Sequence, residues 1–414
     1  MTAVPEALGV LPSEHPGRAR VIDALLVVLA IGLAFSITLS EFTLLILAVV
    51  LLAGVRTEAL ARAPLAAPLL AFAAWSIVAA LTSAEPAESL RATKSLLPLA
   101  TFWIVLAALP GAAAARRFAT IVFIAVTAAA LASIVQVVRC PADGGYGPTP
   151  QIPVVGVFFR KCIRAHAFFS IYMTLAGVLT VVLALTLPRL RGLPRPGLAM
   201  LGWLTGAVSL GLTLVRGAWL GFAVGAGLVL LLARRRAAVI LLVAALVVVA
   251  LGIPTVHKRL ETIGDMTDPS ARERLAMLVT GLRLIGEHPI AGIGPGQVKR
   301  VYPTAAPPEA VRRHTSHLHD TPLQIATERG LVGLACWLWI FVAFFARAAG
   351  VLRRVPAAAT ADRALVVGAL AAVAAFLVSG LFEYNFGDTE VLLVTLAVMA
   401  LPFVVERDLP GQRL

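Results

Sequence analysis

Three histidines and an aspartate fall within seven residues, His314-Thr315-Ser316-His317-Leu318-His319-Asp320. An imidazole titrates near neutrality, so one of them beside a reacting hydroxyl could take its proton. Position alone does not choose between His317 and His319. The same run could ligate zinc through His-x-His plus Asp, although no cysteine or acidic cluster completes the set, or it could be purely structural. A second candidate is Arg216, in Leu214-Val215-Arg216-Gly217-Ala218-Trp219-Leu220-Gly221, between two apolar runs with almost no loop. A charge there is costly unless it faces a cavity or a partner; the alternative is an arginine snorkelling from a tight turn. Arg160, Arg164 and Arg274 extend the pattern. A planar guanidinium grips phosphate oxygens in bidentate fashion, so these arginines suit an anionic, phosphate-bearing substrate. The alternative is a solvated loop over anionic lipid head groups.

The elements that must position these residues are membrane spans. The chain has 414 residues, 59% apolar and 14% charged. That composition excludes a water-soluble enzyme and a disordered chain. Apolar runs of about 15–22 residues suit helices, not the ten-residue alternating strands of a barrel. Twelve spans are predicted, at 21–39, 41–55, 64–82, 95–110, 118–138, 166–187, 198–215, 217–233, 237–255, 330–346, 364–382 and 391–405. The run after Arg18 and Arg20 is too long for a signal-peptide core and reads as a retained first span. The net charge is +13, with 31 arginines against 4 lysines. One set of connections holds Arg56/Arg62, Arg116/Arg117, Arg189/Arg191/Arg195, Arg234/Arg235/Arg236 and Arg347/Arg353/Arg354/Arg363. The opposite short turns, at 40, 83–94, 216 and 383–390, hold only Arg91, Lys94 and Arg216. The positive-inside rule then puts both termini in the cytoplasm. The expected organisation is a single all-α, polytopic membrane domain over 1–414, with outside loops at 139–165 and 256–329. These long loops are exempt from the charge rule and carry fourteen bases against nine acids.

Within the second loop, Ser270–Glu287 has helical periodicity, with Leu275, Leu278, Leu282 and Ile285 on one stripe. The expectation is a helix lying on the bundle with this stripe down and Glu287 paired with Arg283 at i,i+4. A Gly/Pro loop, Gly292–Gly296, follows. Thr321-Pro322-Leu323-Gln324 reads as a helix start, with Thr321 as the cap and a short helix ending near Gly330. Cys140 and Cys162 fall at or inside the first loop. A bridge between them would close about 20 residues, worth roughly 3 kcal/mol; two free thiols are the alternative.

The run His317-Leu318-His319-Asp320-Thr321-Pro322-Leu323-Gln324 through Glu328-Arg329-Gly330-Leu331-Val332-Gly333 resembles the signature of the O-antigen ligase and polymerase superfamily: a His-Asn pair, Leu-Gln, then Glu-x-Gly-Leu-x-Gly entering a span. Arg274-Leu275-Ala276-Met277-Leu278 and His288-Pro289-Ile290-Ala291-Gly292-Ile293-Gly294 resemble the family's Arg-Leu-x-x-Trp helix and His-Pro-x-x-Gly-x-Gly loop. Arg216-Gly217-Ala218-Trp219 resembles its Arg-Gly-x-Trp turn, and Glu383-Tyr384-Asn385-Phe386-Gly387-Asp388-Thr389-Glu390 is also similar to these proteins. The order and spacing of the motifs cover nearly the whole chain. Asp320 stands where the family has Asn, and Leu278 where it has Trp. A carboxylate at 320 would raise the pKa of the histidine if the two approach.

The resemblance implies a glycosyltransferase of the bacterial inner membrane, similar in architecture to GT-C enzymes, with its active site in the periplasmic loop 256–329. It implies transfer of O-antigen from undecaprenyl diphosphate to a lipid A–core sugar hydroxyl, completing lipopolysaccharide. His319 would then be the general base, with His317 and Asp320 supporting it. Arg216 and Arg274, and less directly Arg160 and Arg164, would hold the diphosphate. A single displacement would invert the anomeric centre. Neither metal nor cofactor is needed if arginines neutralise the diphosphate, and membrane lipids rather than nucleic acid are the remaining partners. An O-antigen polymerase uses the same donor and stays open, as does a protein-glycosylating ligase. A non-enzymatic transporter would place polar residues near mid-membrane, whereas the ionisable residues here sit at span ends.

Overall fold

The computed structural model describes residues 16–52, 62–145, 158–234 and 269–409. The proposed span 237–255, Arg56, Arg235, Arg236, the middle of the first loop and residues 256–268 of the second lie outside the described residues. The described chain is helical, and no strand occurs in it. Its helices are α1 Pro16–Phe35, α2 Ile37–Leu52, α3 Ala66–Leu81, α4 Pro86–Ala92, α5 Ala100–Ala108, α6 Ala112–Val138, α7 Tyr172–Thr186, α8 Pro196–Leu212, α9 Arg216–Leu232, α10 Pro269–Glu287, α11 Val298–Ala305, α12 Thr321–Arg354, α13 Thr360–Gly380 and α14 Thr389–Arg407. Among the described residues, six helices are long and apolar enough to cross a membrane: Pro86–Ala108, Ala112–Val138, Tyr172–Gly192, Thr321–Arg354, Thr360–Gly380 and Thr389–Arg407. Shorter apolar helices are α2, α3, α8 and α9.

Helices α7, α13 and α14 form the centre. Thr174–Thr186 and Val391–Val405 are buried on every face. A helix that is apolar all round has no surface to present to water and must be enclosed. The surrounding helices leave large apolar side chains outward, among them Phe42, Val49, Ile124, Leu198 and Leu201. That surface suits lipid rather than water.

The two ends of the bundle differ in chemistry. One end is tied by arginines: Arg117 to Asp23, Arg116 to Asp362, Arg354 to Glu406, and Arg189 to the Arg116 carbonyl. The other end carries the residues singled out for chemistry. There α10, α11 and the start of α12 enclose a small core of Met277, Leu284, Ile293, Val298, Tyr302 and Leu318.

Two motifs of the sequence interlock at this end. Gly330, inside α12, has φ 68° and ψ −176°, and the helix breaks there. The Leu331 N–H leaves its helical partner and donates to the Pro289 carbonyl (2.7 Å). The freed carbonyls of Thr327 and Glu328 accept the N–H groups of Ile293 (2.9 Å) and Gly294 (3.0 Å). The Gly296 N–H donates to the Glu328 carboxylate (2.8 Å). The 289–296 loop thereby pairs three backbone groups at the kink, and the Arg329 carbonyl accepts the Trp75 indole N–H (2.8 Å). Glu328 and Arg329 form a buried ion pair (3.1 Å), and Arg329 also donates to Ser76 (2.9 Å). A buried, fully partnered pair fixes how α3, α12 and the loop meet. A Cβ at Gly330 would lie 1.9 Å from the Ile290 carbonyl oxygen. Gly330→Ala is therefore expected to cost more than about 2 kcal/mol, since its backbone angles are open essentially to glycine alone. Thermal unfolding in detergent tests this; an unchanged midpoint would mean that the loop is not docked on the kink.

Three expectations are corrected here. First, the packed face of α10 is not its leucine stripe. Leu275, Leu278 and Leu282 are 42%, 43% and 57% exposed, while Glu273, Ala276, Met277, Thr280 and Leu284 are buried. Small residues on that side admit Leu318 and Leu323 against Gly281, and a leucine face turned toward lipid carries no penalty that would force it inward. Second, Asp320 and not Thr321 caps α12: its carboxylate accepts the Leu323 N–H (2.7 Å), while the Thr321 hydroxyl donates to the Glu383 carbonyl (2.9 Å). Third, that capping duty means Asp320 is not the carboxylate on the histidine. The pairing of Arg283 with Glu287 is present, at 3.7 Å.

Cys140 and Cys162 are joined by a disulfide, with Cα atoms 5.5 Å apart. Cys336 is a free thiol in α12.

Candidate active site

His319 sits one residue before the Asp320 cap, with φ at 51°, a left-handed conformation that costs energy for any residue with a Cβ. The flanking contacts hold it there. The Leu318 N–H donates to the Gln324 side chain (2.8 Å), and Leu318 is buried in the small core. The His319 ring is thus turned outward, 24% exposed, against the linker between α13 and α14. Its Nδ1 lies 2.8 Å from Glu383 Oε2. The other oxygen, Oε1, lies 3.4 Å from Arg274, whose guanidinium also donates to the Phe382 carbonyl (2.9 Å). One carboxylate therefore joins the imidazole to the arginine.

Such an arrangement has a definite chemical consequence. A proton on Nδ1 donates to Glu383, so Nε2 carries the lone pair and can accept a proton from a hydroxyl. The imidazolium formed is then stabilised by the same carboxylate, the logic of base-and-orienter pairs in nucleophilic catalysis. His317 lacks this support. Its ring is centred 4.3 Å from that of His319, and its Nδ1 is buried with no hydrogen-bond partner. Burial, with the neighbouring His319 adding to it, pushes His317 down to about 4, so it is neutral at neutral pH. Burial raises the Asp320 carboxyl, against the pull of the Leu323 N–H and Arg274.

Arg216 is the first residue of α9 and is exposed. Its neighbour Gly217 packs so closely that a Cβ there would lie 2.5 Å from Phe382 Cβ. Arg274 reaches the same Phe382 from α10. Arg274 thus touches residues 382–383 directly, beside His319, while Arg216 adjoins Gly217, which packs on Phe382 from a different element. Arg160 and Arg164 lie in the disulfide-bridged loop: the Ala165 N–H donates to Leu212 (3.2 Å), and the Arg164 guanidinium stands 4.5 Å over the Tyr172 ring. Their described contacts are within that loop and α7, not with the His319 group. Among the described residues no three His, Cys, Asp or Glu side chains are placed to hold a metal ion.

Glu383 is the residue that sequence reasoning left without a role. It was visible as an acid in the turn after a span, a position like that of Arg216, but its partner lies 64 positions earlier.

An all-helical membrane protein with a histidine–carboxylate–arginine group at one end of its bundle is the class these features define. Residues 200–338 match the family model described as O-antigen ligase, which supports the superfamily resemblance read from the motifs. The matched stretch holds Arg216, Arg274, His317, His319 and Asp320, and ends before Glu383. No curated protein matches the chain.

Proposed function

We propose that this protein is an O-antigen ligase, transferring a glycan from undecaprenyl diphosphate to a sugar hydroxyl of lipid A–core on the periplasmic side of the inner membrane. The observation that carries this reading is the His319–Glu383–Arg274 group at the tip of a lipid-facing bundle. Nε2 of His319 takes the proton of the acceptor hydroxyl as its oxygen attacks the anomeric carbon. The bond from that carbon to the diphosphate oxygen breaks, and the diphosphate leaves with the electron pair. One displacement inverts the anomeric centre. Arg216 and Arg274 meet the charge that grows on the diphosphate, where fixed donors act most strongly. Arg160 and Arg164 belong to a neighbouring loop and have a secondary part at most. The arginine-tied end, opposite the site, carries the positive charge expected of a cytoplasmic face.

Complementation tests the reading. Expression in ligase-deficient bacteria should restore lipopolysaccharide bearing a full glycan ladder. Restoration only in polymerase-deficient bacteria would instead make it an O-antigen polymerase, and restoration of neither would remove the transferase assignment. Activity of the purified protein should also persist in excess EDTA, because arginines supply the positive charge. Loss of activity in EDTA that one divalent ion restores would replace the clamp with a metal site.

A further inference from the structure

A second concavity opens at the His319 end, lined by different residues. The turn between α1 and α2 faces residues 168–170 and the first turn of α14 across a cavity of about 260 Å³. Ser36, Ser40, Ser170, Phe35, Phe168 and Glu390 are among its lining residues. Its walls are held in place. Ser36 Oγ accepts the Leu39 N–H (3.2 Å) and Ser40 donates to the Ser36 carbonyl (3.1 Å). On the facing loop, the Gln136 side-chain oxygen accepts the N–H groups of His166 (2.9 Å) and Ala167 (3.1 Å), and the Cys140–Cys162 bridge ties the same loop to the end of α6. Asp388 caps α14 and accepts the Thr174 hydroxyl (2.5 Å).

The lining selects its ligand. Among the described residues that line the cavity there is no arginine or lysine, and Asp388 and Glu41 act electrostatically on Glu390. The lining offers no fixed positive charge to hold a phosphate. The Glu390 carboxyl, which hydrogen-bonds Asp388, and the Ser36 and Ser170 hydroxyls instead exchange hydrogen bonds with O–H or N–H groups. Phe35 and Phe168 stand 5.2 Å apart with tilted rings, and Phe168 is half exposed. An aromatic face is negative and attracts the weakly positive C–H face of a saturated ring. Pockets for drug-sized ligands run about 300–1,000 Å³, so this volume suits a single ring.

We propose that this cavity is a subsite for one neutral or amino sugar ring of a glycan substrate, held by Glu390 and the Ser36 and Ser170 hydroxyls with Phe168 against its face. The proposal rests on the reading of the protein as a glycan transferase and adds where a sugar away from the reacting bond is recognised. The ring could belong to the donor glycan or to the acceptor.

Saturation-transfer NMR on the full-length protein in detergent tests it, with two probes: the delipidated, phosphate-free O-antigen saccharide and the dephosphorylated core oligosaccharide. At least one probe should bind the wild type and bind about tenfold more weakly to Glu390→Gln and Phe168→Ala, with gel-filtration profiles unchanged. Ser170→Trp, which fills the cavity mouth, should have the same effect. The probe that weakens identifies the source of the ring. Binding of neither probe to the wild type, or binding indifferent to all three cavity substitutions, would overturn the subsite. If the cavity variants weaken binding while complementation fails, the subsite stands and the ligase reading falls; if complementation succeeds with no effect of these variants, the reverse holds.

Discussion

His319→Ala should lower glycan transfer by about 10²–10⁴-fold, the usual contribution of a positioned general base, while membrane insertion and thermal stability stay near those of the wild type. The ring is at the surface of the site, so its removal opens no core cavity. His317→Ala should retain most activity. Burial pushes His317 down to about 4, and a base that weak accepts little of a proton in the transition state. Glu383→Gln should fall between the two. The amide can still hydrogen-bond Nδ1, but it neither fixes the tautomer nor stabilises the imidazolium. Initial rates with purified protein and a lipid-linked donor distinguish the three. Near-normal activity in His319→Ala beside an inactive His317→Ala would reverse the assignment.

Arg274→Lys and Arg216→Lys should each reduce kcat/KM by about tenfold to a hundredfold, the worth of one or more charged hydrogen bonds. Lysine keeps the charge but loses the planar fork that matches a diphosphate. The two variants should differ in kind. Arg274 also touches Glu383 (3.4 Å), so its replacement disturbs the carboxylate that orients His319 and should lower kcat as well as raise the donor KM. Arg216 adjoins Gly217, which packs on Phe382, and should act mainly on the donor KM. Wild-type rates in both lysine variants would rule out the clamp.

Local patterns in the chain foretold much of this. Long apolar runs demand helices in lipid, because no water is there to satisfy an open backbone. Of the twelve predicted spans, all but 237–255 overlap helices among the described residues, and six of the described helices are long and apolar enough to cross a membrane. The break near Gly330 was foreseen as the end of a short helix, and its backbone angles show why only glycine serves there. Arg216 and His319 stood out because a charge between spans and a histidine before a helix start are costly or exposed positions that need a reason. Asp320 was singled out too, but for a different duty. Which of Asp320 and Thr321 caps the helix depends on where each side chain finds its other partner, and the Thr321 hydroxyl is drawn away by the Glu383 carbonyl.

The solvent, the helices, their breaks and a short roster of chemical groups all follow from interactions within a few residues along the chain. Which of these groups meet depends on the packing of distant segments. Glu383 joins His319 and Arg274 from 64 and 109 positions away, and no local pattern encodes a contact at that range. The packed face of α10 is a tertiary choice for the same reason. Periodicity identifies the apolar stripe of a helix, but beside a membrane both protein and lipid can cover it, so close approach at Ala276, Thr280 and Gly281 set the orientation instead.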